Sequence, residues 1–591
     1  MTAPQRRAAS WALPAYALLL SLLVTGPLLR PGYLLLRDAV STPRSYLSDT
    51  ALGLTAPPRA TPQDFAVALA SQLIDGGVVV KALLVLGLWL AGWGAARLVA
   101  TALPGAGLSG QFVAATLAIW NPYVAERLLQ GHWSLLVGYG CLPWVATAVL
   151  RLRSQSTGWF ALAFWIALAG LTPTGLMLAA TVGLVCAVGP GVGRRWLCVA
   201  AVLGAALAAA LPWLVAASDA SLAAPDAAVG VVAFAPRAEP GLGTLGSLAG
   251  LGGIWNSEAV PSSRATLFAA VSTLVLLSVV AAGLPTVLRH RTVVPLLGLA
   301  TAAVLLPAAL ATGPGLHLLA SVVDAVPGLG VLRDGQKWVA LAMPGYALAG
   351  AGAVVTVRRW LSAPADIAAA LTACLALIAV LPDAAWGVGG KVAAVHYPPG
   401  WAAVAARINT APAPVAVLPA GSMRRFAWSG PFPVLDPLPR WVRAEVLSTG
   451  DLAISGRVVP GEGHRARAIQ ELLLSGVDAS ALVPAGVGWL VVEADTAGDL
   501  GAAAHTLSTL TPVYRDEHIT LYRVGGPAAG VAPARRQTVV IAHLVWLVLL
   551  IGGAGGALVA AVRRRRHGAP KPPTARHLDH GDDTPVDVAE D

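Results

Sequence analysis

The sequence is poor in charge: Asp, Glu, Lys and Arg make up 12% of its 591 residues, about half the share of a soluble globular protein. That shortage excludes a nucleic-acid partner as the organising function, and it excludes disorder over most of the chain. Lysine is almost missing, with four residues among 40 basic ones. Cysteine is as scarce. Cys141, Cys186, Cys198 and Cys374 lie in apolar stretches without CxxC or CxxH spacing, so neither a disulfide framework nor a metal knot is expected.

What is present is hydrophobic. Ala, Val, Ile, Leu, Met, Phe, Trp, Tyr and Cys together reach 56%. A helix needs about 20 apolar residues to cross the hydrocarbon core, and such segments recur. Spans are read near 11–30, 78–100, 108–121, 134–150, 159–171, 174–188, 197–217, 265–287, 293–312, 338–356, 364–382 and 538–562. This predicts a polytopic α-helical membrane protein of about 12 transmembrane helices. Pro122, Pro143 and Pro173 fall in or beside the short third to sixth segments, which predicts broken helices lining a cavity.

The net charge of +10 is explained by topology rather than by an anionic partner. Arg6 and Arg7 precede the first span, and alternate loops carry Arg97, Arg151 with Arg153, Arg194 with Arg195, Arg289 with Arg291, Arg358 with Arg359, and Arg563 to Arg566. Cytoplasmic loops are rich in Arg, so the expected location is the plasma membrane with both termini inside. The expected organisation is a transmembrane module over 1–382 with outer loops 31–77 and 218–264, and an extracytoplasmic α/β domain over 383–536. A last span at 537–562 and a basic, then acidic, disordered cytoplasmic tail at 563–591 follow. Within the α/β domain, strands are read at Val415 to Leu418, Trp489 to Val492 and His518 to Val524, and helices at Ala466 to Leu474 and Leu500 to Leu510.

Charged groups close to membrane depth are costly and therefore functional candidates. Three clusters qualify, all on the outer side of this topology. The first is Arg37-Asp38 with Arg44, just past the first span; the adjacent cations are expected to keep the Asp38 carboxylate ionised and able to act as a general base. The second is Asn121-Pro122, Glu126-Arg127 and Gln130-Gly131-His132-Trp133, read as a short interfacial helix between two spans. The third, Arg333-Asp334-Gly335-Gln336-Lys337, opens the tenth span. On a helix Arg333 and Lys337 share one face, and a helix N-terminus attracts anions, so a phosphate cradle is expected there. The Gly-rich run 240–253 lacks the Gly-Lys-Ser/Thr of a nucleotide-binding loop.

A first-loop Asp, a broken Asn-Pro…Gly-His-Trp hairpin and a late basic helix start resemble the GT-C-type membrane glycosyltransferases. The Ala-, Gly- and Val-rich, lysine-poor composition has the bias of a GC-rich genome. The nearest likeness is to the arabinofuranosyl- and mannosyltransferases of the actinobacterial envelope, and the outer α/β domain is also similar to that of YfhO-type membrane proteins. The resemblance implies a GT-C fold, a polyprenyl-phosphate sugar donor and an envelope glycan or glycolipid acceptor, both met at the outer leaflet among membrane lipids. In that scheme Asp38 is the catalytic base. Arg333 and Lys337 stabilise the leaving phosphate, and Arg127 and His132 add phosphate contacts. Arg37, Arg44, Glu126, Asp334 and Gln336 are supporting residues. No metal ligands are assigned, and a divalent cation is the one cofactor left open. Two other readings compete: a transporter or flippase of lipid-linked glycan, and a non-catalytic scaffold for envelope assembly. The first predicts midplane charges and repeat-related halves, neither evident in the sequence.

Overall fold

The computed structural model describes the chain apart from residues 1–2, 56–57, 156, 191–192, 219–226, 327, 361–364, 455, 528–529 and 568–591. The tail expected to be disordered lies outside the described residues from 568 onward.

Every one of the twelve apolar segments contains a helix. Among the described residues, seven stretches are long and apolar enough to cross a membrane: Trp11–Leu29, Gly76–Ala102, Trp133–Gln155, Arg195–Ala217, Phe268–Val287, Gly335–Arg359 and Pro533–Arg563. Two bent pairs bring the number to nine if each is one span. Val294–Leu310 turns by 95° into Gly313–Ala325, and Ala365–Ala379 turns by 74° into Pro382–Gly389. The chain is a polytopic helical membrane protein. Length and composition qualify seven to nine spans against the expected twelve, because Gly107–Ile119, Trp159–Ala169 and Pro173–Val188 hold only 13, 11 and 16 residues. The segment Gly313–Ala325, read as a loop, is helical. Thr312 caps it by accepting from the Gly315 amide, with Pro in its first turn.

Small residues set the helix spacing. Gly87 of Gly76–Ala102 and Gly140 of Trp133–Gln155 face each other so closely that a methyl on Gly140 would strike the Gly87 carbonyl, a packing mode that suits helices in lipid. The outward faces carry exposed Leu207, Leu274 and Val548, apolar surface that hydrocarbon rather than water would cover.

The polar region after the eleventh segment folds around a mixed sheet. Strands β1 (Tyr33–Leu36), β2 (Ala39–Val40) and β3 (Ala394–Val395) form one small sheet in the order β2-β1-β3. Strand β4 (Val415–Leu418) precedes the hairpins β5 (Met423–Arg424) with β6 (Val434–Leu435) and β7 (Leu452–Ile454) with β8 (Arg457–Val459). Strands β9 (Trp489–Glu493), β10 (Pro512–Arg515) and β11 (Ile519–Arg523) complete the main sheet, in the order β10-β11-β9-β4. β4 runs parallel to β9 and the other pairs are antiparallel.

The first loop and this region are not separate. β1 pairs with β3, Tyr33 opposite Val395 and Leu34 opposite Ala394. Its side chains alternate between two cores: Leu34 and Leu36 pack among the spans, and Leu35 packs with Trp401, Val415 and Trp441 of the α/β region. A strand sends successive side chains to opposite faces, and here both faces are buried. Arg37 and Asp38, in the turn after β1, are thereby fixed at the seam between the membrane helices and the sheet.

Candidate functional site

The site begins at the break after Gly107–Ile119. The Asn121 side chain accepts from the Val124 amide at 3.1 Å and Pro122 occupies the first helical position, so the helix Pro122–Leu129 starts in a new direction. All its residues are buried. Glu126 and Arg127, in this short helix between two spans, therefore lie inside the fold. The loop 251–254 and the segment 334–337 cover them.

Arg127 has no exposed side-chain surface. It forks onto Asp334 through hydrogen bonds of 2.8 and 2.9 Å, donates to the Gln336 side-chain oxygen, and donates to His132 Nδ1 at 3.1 Å. A guanidinium cannot accept, so the ring proton of neutral His132 sits on Nε2. Nε2–H donates to Asp38 Oδ2 at 2.9 Å, and Gln130 Nε2 donates to the same oxygen at 3.1 Å. Asp38 Oδ1 has no hydrogen-bond partner among the described residues, and the side chain keeps 37% of its surface accessible although packed deep in the fold.

The electrostatics follow. Burial alone would raise the Asp38 carboxyl, but the hydrogen bond from His132, the Gln130 amide and the Lys337 charge outweigh it and hold Asp38 below the ordinary carboxylate value. Burial drives His132 below its usual value; the Asp38 hydrogen bond resists this, and the Lys337 and Arg127 charges reinforce it, leaving a neutral ring. Asp334 is also buried, yet Arg127 and Lys337 keep it far below the carboxylate range. The Lys337 ammonium lies 3.7 Å from Asp334 Oδ2. Gly335–Ala342 is a 3₁₀-helix, in which side chains three apart eclipse, and this stacks Lys337 on Asp334, its N-cap.

Glu126 touches Arg127 only through Gln336. It accepts from the amides of Gly253 and Ile254 at 3.3 and 3.1 Å and from Gln336 Nε2 at 3.1 Å. Behind it, Arg264 and Glu239 form an ion pair with no exposed surface. Gln130, Glu239 and Arg264 were not assigned from sequence. Gln130 stood inside the second cluster, whereas nothing in the sequence links Glu239 to Arg264.

Four expected placements change. Arg127, expected as a phosphate contact, is buried and bonded to Asp334, Gln336 and His132. Arg333 and Lys337 do not share a helix face, because the chain breaks between Leu329–Leu332 and Gly335–Ala342. The Arg333 guanidinium instead lies 4.6 Å over the Phe234 ring; burial and the nearby Arg59 bring it down to about 10, still charged at neutral pH. Arg44 lies over Tyr46 at 5.2 Å. Arg37 donates to the carbonyls of Leu129 and Glu258 at 2.5 and 2.9 Å. His132, Gln130 and Lys337, rather than Arg37 and Arg44, are thus the main support of the Asp38 charge.

On the other side of the 335–342 segment lies an apolar cavity of about 340 Å³, lined by Ala303, Leu306, Leu310, Leu319 and Trp338 with Arg333 beside them. Leu306, which lines it, is also 62% exposed on the lipid-facing surface. One 3₁₀ segment therefore separates an apolar groove from a carboxylate with a free oxygen, with Lys337 on the carboxylate side.

No family model and no curated protein matches the chain in sequence. In fold it is similar to the cryo-EM structure of arabinofuranosyltransferase AftD from mycobacteria, with a TM-score of 0.55 and 17% identity over 89% of this chain. Two classes of a point mutant of AftD match with a TM-score of 0.52 and identities of 18% and 16%, each over 88% of this chain. The chain spans only 40–42% of the length of these structures. The likeness is one of fold, the GT-C-type fold expected from sequence.

Proposed function

We propose that the chain is a GT-C-type membrane glycosyltransferase that moves a sugar from a polyprenyl-phosphate donor to an envelope glycan or glycolipid acceptor at the outer face of the plasma membrane. The observation that carries this reading is Asp38, a charged carboxylate with one free oxygen, oriented by His132 and backed by the buried Arg127–Asp334 pair. The Arg-rich alternate loops favour an orientation with this seam and the α/β region outside and both termini in the cytoplasm. An outer site has no access to cytosolic nucleotide sugars, which favours a lipid-linked donor.

In the proposed step Asp38 Oδ1 accepts the proton of the acceptor hydroxyl as its oxygen bonds to the anomeric carbon. The bond from that carbon to the phosphate oxygen breaks, and polyprenyl phosphate leaves. Lys337 stabilises the charge that develops on the phosphate, a kind of interaction that is often a large share of catalysis. The prenyl chain lies in the groove at Ala303, Leu306 and Leu319, entering laterally past exposed Leu306, with Arg333 at the polar end. A single free carboxylate suits one direct displacement, so the anomeric configuration inverts.

The donors around Asp38 do not suit a divalent cation. Its neighbours are two N–H groups and an ammonium, and among the described residues no three His, Cys, Asp or Glu side chains group as ligands. The test is transfer from a radiolabelled polyprenyl-phosphate sugar in the presence of a chelator, with product configuration read by NMR. Chelator-resistant, inverting transfer supports the reading, and retention of configuration contradicts it.

A further inference from the structure

A second cavity, of about 450 Å³, adjoins the Asp38 site, and we propose that it holds an anionic group, phosphate or carboxylate, on a hydroxyl-rich glycan. Its lining includes Ser257, Glu258, Ser262, Lys391, Arg425 and Phe432, drawn from three distant stretches of sequence. The wall is shared with the site. Arg37, next to Asp38, donates to the Glu258 carbonyl at 2.9 Å and stacks 4.7 Å from the Phe432 ring. Asn256 donates to Gln130 Oε1 at 2.8 Å, and Gln130 donates in turn to Asp38. The cavity and the Asp38 site are therefore neighbours across a common wall. Calling this ligand the acceptor rests on the glycosyltransferase reading; binding itself does not.

Charge identifies the ligand. Glu258 is the one carboxylate of the lining and is divided between two cations, 3.7 Å from Arg37 and 3.7 Å from Arg425. Lys391 makes no ion pair among the described residues; its amine lies 3.4 Å from the Ser262 hydroxyl. The nearby Asp383 is occupied by the Ser263 amide and hydroxyl. The lining thus carries two cations, Lys391 and Arg425, against one carboxylate whose charge buried Arg37 also shares from behind, and Arg425 is about half exposed. Such a surplus of donors favours an anion, which forms shorter and stronger hydrogen bonds than a neutral hydroxyl. The Ser257 and Ser262 hydroxyls and the Phe432 ring suit the sugar that carries it.

The test uses the full chain in zwitterionic nanodiscs, titrated calorimetrically with one trisaccharide in neutral, uronate-bearing and phosphate-bearing forms. The proposal predicts that both charged forms bind about tenfold or more tightly than the neutral one, and the stronger of the two identifies the anion. Arg425→Gln and Lys391→Gln each weaken the charged forms about tenfold while leaving the neutral form unmoved. Glu258→Gln tightens charged binding, because it removes the competing carboxylate yet keeps the backbone carbonyl that holds Arg37. Equal binding of neutral and charged forms, unchanged binding in the Arg425 and Lys391 variants, or weaker anion binding in Glu258→Gln would each overturn it. If charged trisaccharide binds as predicted while no sugar donor is turned over, the glycosyltransferase reading fails and the anion site stands.

Discussion

At the scale of single residues, the account turns on protons. Arg127 donates to His132 Nδ1, so His132 gives its only N–H to Asp38 and cannot itself be the base. Asp38 lies below the ordinary value of 3.8, and protonation would end its action as a base. The acid limb of kcat/KM is therefore expected below 3.8. His132→Leu removes the supporting hydrogen bond, so the limb should move to higher pH with an overall loss of about tenfold to a hundredfold. An unmoved limb in the folded variant would exclude Asp38 as the titrating base. Asp334→Asn tests the support beneath. It leaves Arg127 buried without its counter-ion, and breaking a buried pair costs about 3–5 kcal/mol, measurable as a lower unfolding midpoint in detergent.

At the scale of elements, geometry depends on two contacts. Gly131 adopts φ +83°, and a methyl there would collide with the Leu36 carbonyl and the Ala39 amide. Gly131→Ala should push the His132 turn away from the strand turn and lower kcat more than KM, while a variant with unchanged kcat would remove this contact from the account. The second contact is the cluster of Arg424, Asp436 and Glu493 between hairpin β5–β6 and strand β9. Burial and then the Asp436 charge raise Glu493 to about 8, against the pull of Arg424. The folded state thus holds a proton that the unfolded chain releases near 4.5. Its contribution to stability is full below 4.5 and lost as pH rises through about 8. Glu493→Gln should flatten the fall in unfolding midpoint between about pH 5 and about pH 9. The sequence made strands β4, β9 and β11 legible through their apolar β-rich runs. It did not reveal that β1 joins this region, because Tyr-Leu-Leu-Leu in the outer loop 31–77 lacks the alternation of a half-buried strand, and the two-residue strands β2 and β3 carry no periodicity.

At the scale of the whole molecule, the membrane character was legible because apolar runs and Arg-bearing loops are local signals. Much of the site was legible for the same reason: Asp38, Arg127, His132, Asp334 and Gln336 stood in short polar clusters beside apolar segments. Their pairing was not, since Arg127 and Asp334 meet across more than two hundred residues. Neither was the break that turns Arg333 away from Lys337, because helical spacing alone gave no sign of a 3₁₀ segment. The groove is likewise a tertiary product, formed where Val294–Leu310 bends into Gly313–Ala325. Filling it with Ala303→Trp should raise KM for a long-chain polyprenyl donor and spare a short-chain analogue; equal effects on both would place the prenyl chain elsewhere. The central claim is that Asp38 is the base of a sugar transfer. The direct measurement compares wild type with Asp38→Asn, both shown to be folded, using a radiolabelled polyprenyl-phosphate sugar and an envelope glycan acceptor. The account predicts transfer by wild type and a loss of about 10² to 10⁴-fold in the variant, whereas equal transfer by the two proteins would contradict it.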